Sequence, residues 1–145
     1  MIAYFDTSAL IPLIIDEPPS AVVGEVWDHA SRLVSSRLLY PEGRAALAQA
    51  HRMNRLTARQ LRTAVRDLEV LVGQLDHVEV TPELANRAGE LAEQAALRGY
   101  DAVHLAAAES IADGDLVMVT ADDALRVAAT DLGLAVVTFD SRPAH

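Results

Sequence analysis

Four acidic residues stand where a cation-binding site could form, although they lie far apart in the chain. Asp6 and Asp122 each follow a short apolar run, Glu42 follows Pro41, and Asp101 opens an apolar helical stretch. Carboxylates brought close together repel one another, so at least one would be protonated unless a cation neutralised them. Ligands that are all oxygen favour Mg²⁺ or Mn²⁺. Such an ion can activate water for attack on a phosphodiester.

A purely structural role is open for three of these acids. An aspartate before a helix is a common N-cap, and capping stabilises the helix whether or not the residue has a function. Asp6 is the strongest candidate for a functional role, because a carboxylate inside an apolar stretch is costly to bury. Spacing alone leaves capping and metal binding as alternatives.

The elements that must position these acids alternate along the chain. Short apolar runs predict strands at residues 2–5, 33–35, 77–80, 116–120 and 135–139. A capping box formed by Thr57 and Gln60 begins a helix that ends at Gly73, and Thr81 with Pro82 begins another that Gly99 stops. Further helices are predicted over residues 101–111 and 122–132.

This alternation predicts an α/β fold, with a small parallel sheet flanked by helices on both faces in three layers. Residues 1–145 are expected to form a single domain, since the chain has no linker or repeat. In open α/β sheets the strand carboxyl ends and the helix N-termini share one edge, where ligands bind. The four acids can therefore converge at that edge.

Composition excludes several classes of protein. The chain has no lysine and no cysteine, which excludes Schiff-base, P-loop and thiol chemistry as well as cysteine zinc sites. It also has neither a signal peptide pattern nor an apolar run of membrane-spanning length, so we expect a cytoplasmic protein that does not associate with a membrane.

The net charge of −9 is unevenly distributed, because residues 32–66 hold eight arginines and one acid. This basic segment keeps a polyanionic partner possible, with a solvated helix face as the alternative. With six aromatic residues in total, no base-stacking platform of the kind that sequence-specific RNA modules use is expected, so any RNA recognition should rely mainly on phosphate contacts and shape. The candidate contacts for RNA or a protein partner are Arg44, Arg52, Arg55, Arg59, Arg62 and Arg66.

Four sequence motifs, taken together, resemble those of PIN-domain ribonucleases. They are the stretches IAYFDTSAL at 2–10, LYPEGRAAL at 39–47, RGYDAVHLAAA at 98–108 and VTADDALRVAA at 119–129, and GLAVV at 133–137 resembles the closing strand. The resemblance covers nearly the whole chain in the family's order and spacing. It is greatest to the VapC toxins of bacterial type II toxin–antitoxin systems.

This resemblance implies a PIN-like fold and an Mg²⁺- or Mn²⁺-dependent endoribonuclease that cleaves cellular RNA and is neutralised by a VapB-like antitoxin. It also implies a homodimer. By motif match, the catalytic and metal-binding acids are Asp6, Glu42, Asp101 and Asp122, and the supporting hydroxyls are Thr7, Ser8 and Thr120. Asp122 is preferred to Asp123 as the fourth acid because it stands two residues after Thr120.

Rival functions fit the residues less well. A haloacid dehalogenase-type phosphatase needs a second aspartate where Ser8 stands and also a lysine, and a receiver domain needs the same missing lysine. The remaining alternative is an inactive PIN-like scaffold that acts through protein contacts, which the presence of all four acids disfavours. We expect His104, three residues after Asp101, to support the site or the core rather than bind metal.

Overall fold

A five-stranded parallel sheet forms the centre of the computed structural model, which describes residues 1–15 and 20–139. Its strands lie in the order β3-β2-β1-β4-β5, and every neighbouring pair is parallel. The strands are β1 (Ile2–Phe5), β2 (Arg32–Ser36), β3 (Asp76–Val78), β4 (Leu116–Thr120) and β5 (Ala135–Thr138). The predicted strands are confirmed, with ends that differ by one or two residues at most.

Helices cover both faces of the sheet, as expected of strands that are apolar on both sides. The helices of the described residues are α1 (Thr7–Ile14), α2 (Ser20–His29), α3 (Leu39–Arg52), α4 (Ala58–Gly73), α5 (Pro82–Ala95), α6 (Gly99–Ser110) and α7 (Asp123–Asp131). Tyr4 and Met118 pack with α5, α6 and α7, whereas Ala3 and Phe5 face α1 and α2 on the other side. The three-layer architecture is therefore confirmed. Within the described ranges, no helix is long and apolar enough to cross a membrane.

The chain reverses its direction of travel across the sheet beside β1. From β1 it moves to β2 and β3 on one side, then returns to β4 and β5 on the other. The crevice at such a switch point, at the carboxyl ends of the strands, is where open α/β sheets bind ligands. Asp6 directly follows β1 and Thr120 is the last residue of β4, so both lie at this crevice.

The predicted capping motifs are present at four helix starts. Thr57 and Gln60 form the predicted capping box of α4 and Thr81 caps α5, while two of the four acids are N-caps, Asp6 of α1 and Asp122 of α7.

The predicted end of α5 at Gly99 is wrong. The helix ends at Ala95, and Ala96 takes the left-handed conformation that usually selects glycine, with a φ of 53°. Gly99 is instead the first residue of α6, which places Asp101 in the first turn of that helix.

Helices α3 and α4 pack against each other through Gly43 and Leu68. A Cβ atom at Gly43 would lie 3.0 Å from Cδ1 of Leu68, so the absence of a side chain there permits the close approach. Leu68 is fully buried in a cluster that also contains Leu10, Leu39 and Leu47. This packing fixes the first turns of α3, where Glu42 is located.

Replacing Leu68 by alanine is expected to lower the free energy of unfolding by about 2–5 kcal/mol, because the lost methyl groups leave a cavity in a packed interface. Val70 on the same helix is 61% exposed and provides the matched control. Val70→Ala should change stability by no more than about 0.5 kcal/mol. Urea unfolding at an unchanged m-value would measure both effects. Equal effects of the two substitutions would contradict the packing described for α4.

Candidate active site

Asp6 is held in one orientation by three hydrogen bonds. Its Oδ1 accepts from the Ser8 hydroxyl at 2.7 Å and from the Ala9 amide at 2.9 Å. Its Oδ2 accepts from the Thr120 hydroxyl at 2.6 Å. A carboxylate has about four lone-pair positions, so one position on Oδ2 remains for a cation. Two of the supporting hydroxyls implied by the motif resemblance, those of Ser8 and Thr120, hydrogen-bond this carboxylate.

Burial dominates the electrostatics of Asp6, whose residue is only 3% exposed. Removal from water raises the pKa of the Asp6 carboxyl, and the neighbouring imidazole of His104 and the three hydrogen bonds oppose that rise. The folded chain thus carries a buried carboxylate whose charge is costly to maintain. A positive charge placed at Oδ2 would lower that cost.

Glu42 is joined to the core through His104. Oε1 of Glu42 contacts Nε2 of His104 at 2.7 Å and accepts a hydrogen bond from the Thr7 hydroxyl at 3.2 Å. The other ring nitrogen of His104 lies 2.8 Å from the hydroxyl of Tyr4, which is fully buried in the sheet. A carboxylate can only accept, so Nε2 carries a hydrogen and donates it to Glu42. This places His104 in the expected supporting position.

Asp101 and Asp122 are bridged by a residue of their own chain. Nε of Arg98 donates to Oδ2 of Asp101 at 3.0 Å, and its Nη2 lies 3.8 Å from Oδ2 of Asp122. These carboxylates, together with that of Glu42, raise the pKa of the Arg98 guanidinium. The Arg98 side chain is 83% exposed, so it is free to leave without disturbing the core. Asp123, by contrast, points away to Arg126 at 3.7 Å.

The four acids have suitable donor atoms for a hard divalent ion, but their present positions do not gather them around one. All of their donor atoms are carboxylate oxygens, which Mg²⁺ and Mn²⁺ prefer. Within residues 1–15 and 20–139, no three Asp, Glu or His side chains are already close enough together to hold an ion. Arg98 meanwhile supplies positive charge to two of the four. Rotation of the partly buried side chains of Glu42, Asp101 and Asp122 would be needed to gather the acids around a metal.

A groove of about 510 Å³ extends from this cluster along α3. Thr7 and Glu42 line one end, next to the carboxylates, and Gln49 and Arg52 extend it along the helix. Tyr100, the residue before Asp101, lines the same groove. The volume lies within the range of about 300–1,000 Å³ typical of small-ligand sites.

The six candidate contact arginines do not form one surface. Arg52 lines the groove beside the carboxylates. Arg44, Arg62 and Arg66 line a separate cavity of about 360 Å³ between α3 and α4. Arg55 and Arg59 line a third, which contains residues of α1 and α4. The basic segment is thus divided among three places, because its residues lie on different sides of two helices and their connection.

Known proteins share this architecture. The PIN domain family model matches residues 3–131. The chain belongs to the PIN-domain family. One relative within it, Ribonuclease VapC45 of Mycobacterium tuberculosis, is 42% identical over 142 residues, which span 98% of this chain and 99% of the relative.

Solved structures show the same PIN-domain fold. A protein from Pyrobaculum aerophilum, PAE2754, superposes with a TM-score of 0.70 at 26% identity, covering 94% of this chain and 92% of that one. A chain of VapBC-5 from Mycobacterium tuberculosis, a member of the VapBC family of toxin–antitoxin systems, superposes with a TM-score of 0.61 at 21% identity. That match covers 96% of this chain and 98% of the other.

Two residues beside the PIN-domain carboxylates were not predicted from the sequence. Arg98 lies three residues before Asp101, and this helical spacing of opposite charges was the signal that could have revealed the ion pair. Tyr100 is 61% exposed on the wall of the groove. The hydrophobic periodicity of α6 does not single out Tyr100, because this residue lies in the first turn of the helix, outside its apolar stretch.

Proposed function

We propose that this protein is a metal-dependent endoribonuclease and acts as the toxin of a toxin–antitoxin pair. The observation that carries the proposal is the buried, hydroxyl-oriented Asp6 at the sheet's switch point, with Glu42, Asp101 and Asp122 around the same edge. Its relative at 42% identity is named a ribonuclease. An inactive scaffold would need Asp6 and Asp122 only as helix N-caps and would have no need of Glu42 and Asp101 beside them.

The residues suit hydrolysis of a phosphodiester. Attack by water forms one P–O bond and breaks another, and the leaving nucleoside oxygen takes up a proton. Asp6, Glu42, Asp101 and Asp122 would hold Mg²⁺ or Mn²⁺, and when bound the ion would supply Lewis-acid stabilisation of the developing phosphate charge. Ser8 and Thr120 fix Asp6, while His104 and Thr7 fix Glu42. No lysine or cysteine is required, which agrees with the composition.

Chelation provides the direct test. Purified protein incubated with total cellular RNA should cleave it in the presence of Mg²⁺ or Mn²⁺, stop in EDTA and recover when either ion is added back. Asp122→Asn should greatly reduce cleavage, because it replaces a charged carboxylate of the cluster with a neutral amide. Asp123→Asn is the matched control and should retain cleavage, since Asp123 faces Arg126. Gel analysis of the RNA fragments would measure all of these.

Cleavage that survives chelation would contradict the role of a metal. A folded protein that cleaves no RNA with either ion would instead favour the inactive PIN-like scaffold. An Asp123→Asn loss without an Asp122→Asn loss would reassign the fourth acid.

The partners proposed with this function are cellular RNA, a VapB-like antitoxin and a second copy of the chain, in the cytoplasm. Support for the antitoxin comes from the fold shared with a VapBC family member. Expression of the chain alone should arrest bacterial growth, and co-expression of the antitoxin from the same operon should relieve the arrest. Growth that is unaffected by an active ribonuclease would contradict the toxin role.

A further inference from the structure

The groove beside the carboxylates combines features that suit a nucleotide. Its wall along α3 presents Ala45 and Ala46, whose small side chains leave room, and then Gln49 and Arg52 one helical turn apart. These positions follow Glu42 at helical intervals on a single face of α3. From Glu42 to Arg52 the helix advances about 15 Å, so the groove leads directly away from the proposed site of cleavage.

Tyr100 is the unusual residue of this groove. Tyr4 and Phe5 are fully buried, and Trp27 packs edge-on against Phe5. Tyr100 is the sole aromatic residue among the strongly exposed large hydrophobic side chains of the described chain, at 61%. It precedes Asp101 directly, so its position relative to the carboxylates is fixed by the first turn of α6.

The arginines of the groove favour an anionic ligand over an apolar peptide. Arg52 lines the groove away from the carboxylates, whereas Arg98 lines it beside them and is already paired with Asp101. Guanidinium groups bind phosphate oxygens well because their donors match the oxygen spacing. An exposed tyrosine ring can stack on any base, since every base offers a π-face.

We propose that this groove binds single-stranded RNA beside the scissile phosphodiester, with the base of the adjacent nucleotide stacked on Tyr100 and a phosphate further along the strand held by Arg52. Gln49 offers a donor and an acceptor to the base edge. The proposal rests on the proposed ribonuclease function, because the scissile bond is the one that such an enzyme would cleave. The binding itself does not require cleavage and can be measured without it.

The test uses a fluorescein-labelled pool of random-sequence single-stranded RNA octamers, with the full-length protein in EDTA at low salt, followed by fluorescence anisotropy. Tyr100→Ala should weaken binding by about 5- to 150-fold, the range for loss of one stacked base. Tyr100→Trp should retain the affinity of the wild type. Arg52→Gln should weaken binding and make the dependence of log Kd on log salt shallower by about one ion. Arg66→Gln, in the separate cavity between α3 and α4, is the matched control and should change neither quantity.

Three results would overturn the proposal. The first is a wild-type protein that does not bind the octamers. The second is an unchanged RNA affinity in Tyr100→Ala, and loss of antitoxin binding in that variant would then assign the groove to a protein partner. The third is a loss in Arg66→Gln without one in Arg52→Gln, which would place RNA on α4. Binding as expected without any metal-dependent cleavage would refute the proposed ribonuclease while leaving the nucleotide site intact.

Discussion

Asp6→Asn is expected to lower the rate of RNA cleavage by about 10²-fold or more, comparable with the loss of one preorganised electrostatic group. The substitution keeps the size of the side chain and lets its oxygen still accept from Ser8 and the Ala9 amide. It removes the negative charge and with it the best lone pair for a cation. Single-turnover cleavage in saturating Mn²⁺ would measure the loss. A rate within a few-fold of the wild type would contradict the central role of Asp6.

The same variant should be more stable than the wild type when no metal is present. Because burial raises the pKa of Asp6, the folded state holds a proton at this site more tightly than the unfolded chain. Wild-type stability therefore falls as the pH rises from about 4, the ordinary pKa of aspartate, through the raised pKa. The amide that the substitution introduces does not ionise, so this loss is absent from the variant.

Thermal unfolding in EDTA at a series of pH values would check the sign. The melting temperature of Asp6→Asn should exceed that of the wild type at pH 7, and the difference should shrink below about pH 4. The exposed Glu79 carboxyl shows the opposite shift from Asp6, because its hydrogen bond with Arg37 lowers its pKa. Equal melting temperatures at pH 7 would show that the buried charge of Asp6 carries no cost.

His104→Leu is expected to reduce cleavage by about 10- to 100-fold, the usual effect of removing a group that orients a metal ligand. It should also lower the free energy of unfolding by about 1–3 kcal/mol, because the buried Tyr4 hydroxyl loses its contact with Nδ1 of His104. The two effects have separate causes. Activity depends on the contact with Glu42, whereas stability depends on the contact with Tyr4.

A double variant separates these causes. Adding Tyr4→Phe to His104→Leu replaces both polar partners by apolar groups, which can be nearly neutral for stability. Stability should recover toward that of the wild type, while cleavage stays low because Glu42 still lacks the imidazole. Recovery of both properties together would show that His104 acts only through the stability of the fold.

Much of the fold could be predicted from local sequence signals. Apolar runs of four or five residues predict β1 and β4 with their correct bounds, since a strand covered on both faces needs no alternation. Side chains that can accept from free backbone amides predict the helix starts at Thr57, Thr81 and Asp122. The convergence of the four acids follows from one rule about parallel sheets, because strand ends and helix starts share an edge.

Features that depend on tertiary contacts could not be predicted in this way. The end of α5 was misplaced because Ala96, not a glycine, takes the left-handed conformation. Eight arginines fall in one segment of the sequence, but helix packing divides the six candidate contacts among three cavities. Arg98 was not assigned because its second carboxylate, Asp122, comes from a distant part of the chain.

The hydrogen bond between Thr120 and Asp6 joins residues 114 positions apart, and this separation bears on synthesis. During translation Asp6 emerges well before its partner strand β4, which begins at residue 116. A nascent chain still lacking β4 has no group at position 120 to orient Asp6 and no Asp122 at the sheet edge. The proposed site can therefore form only after β4 and the start of α7 have been synthesised.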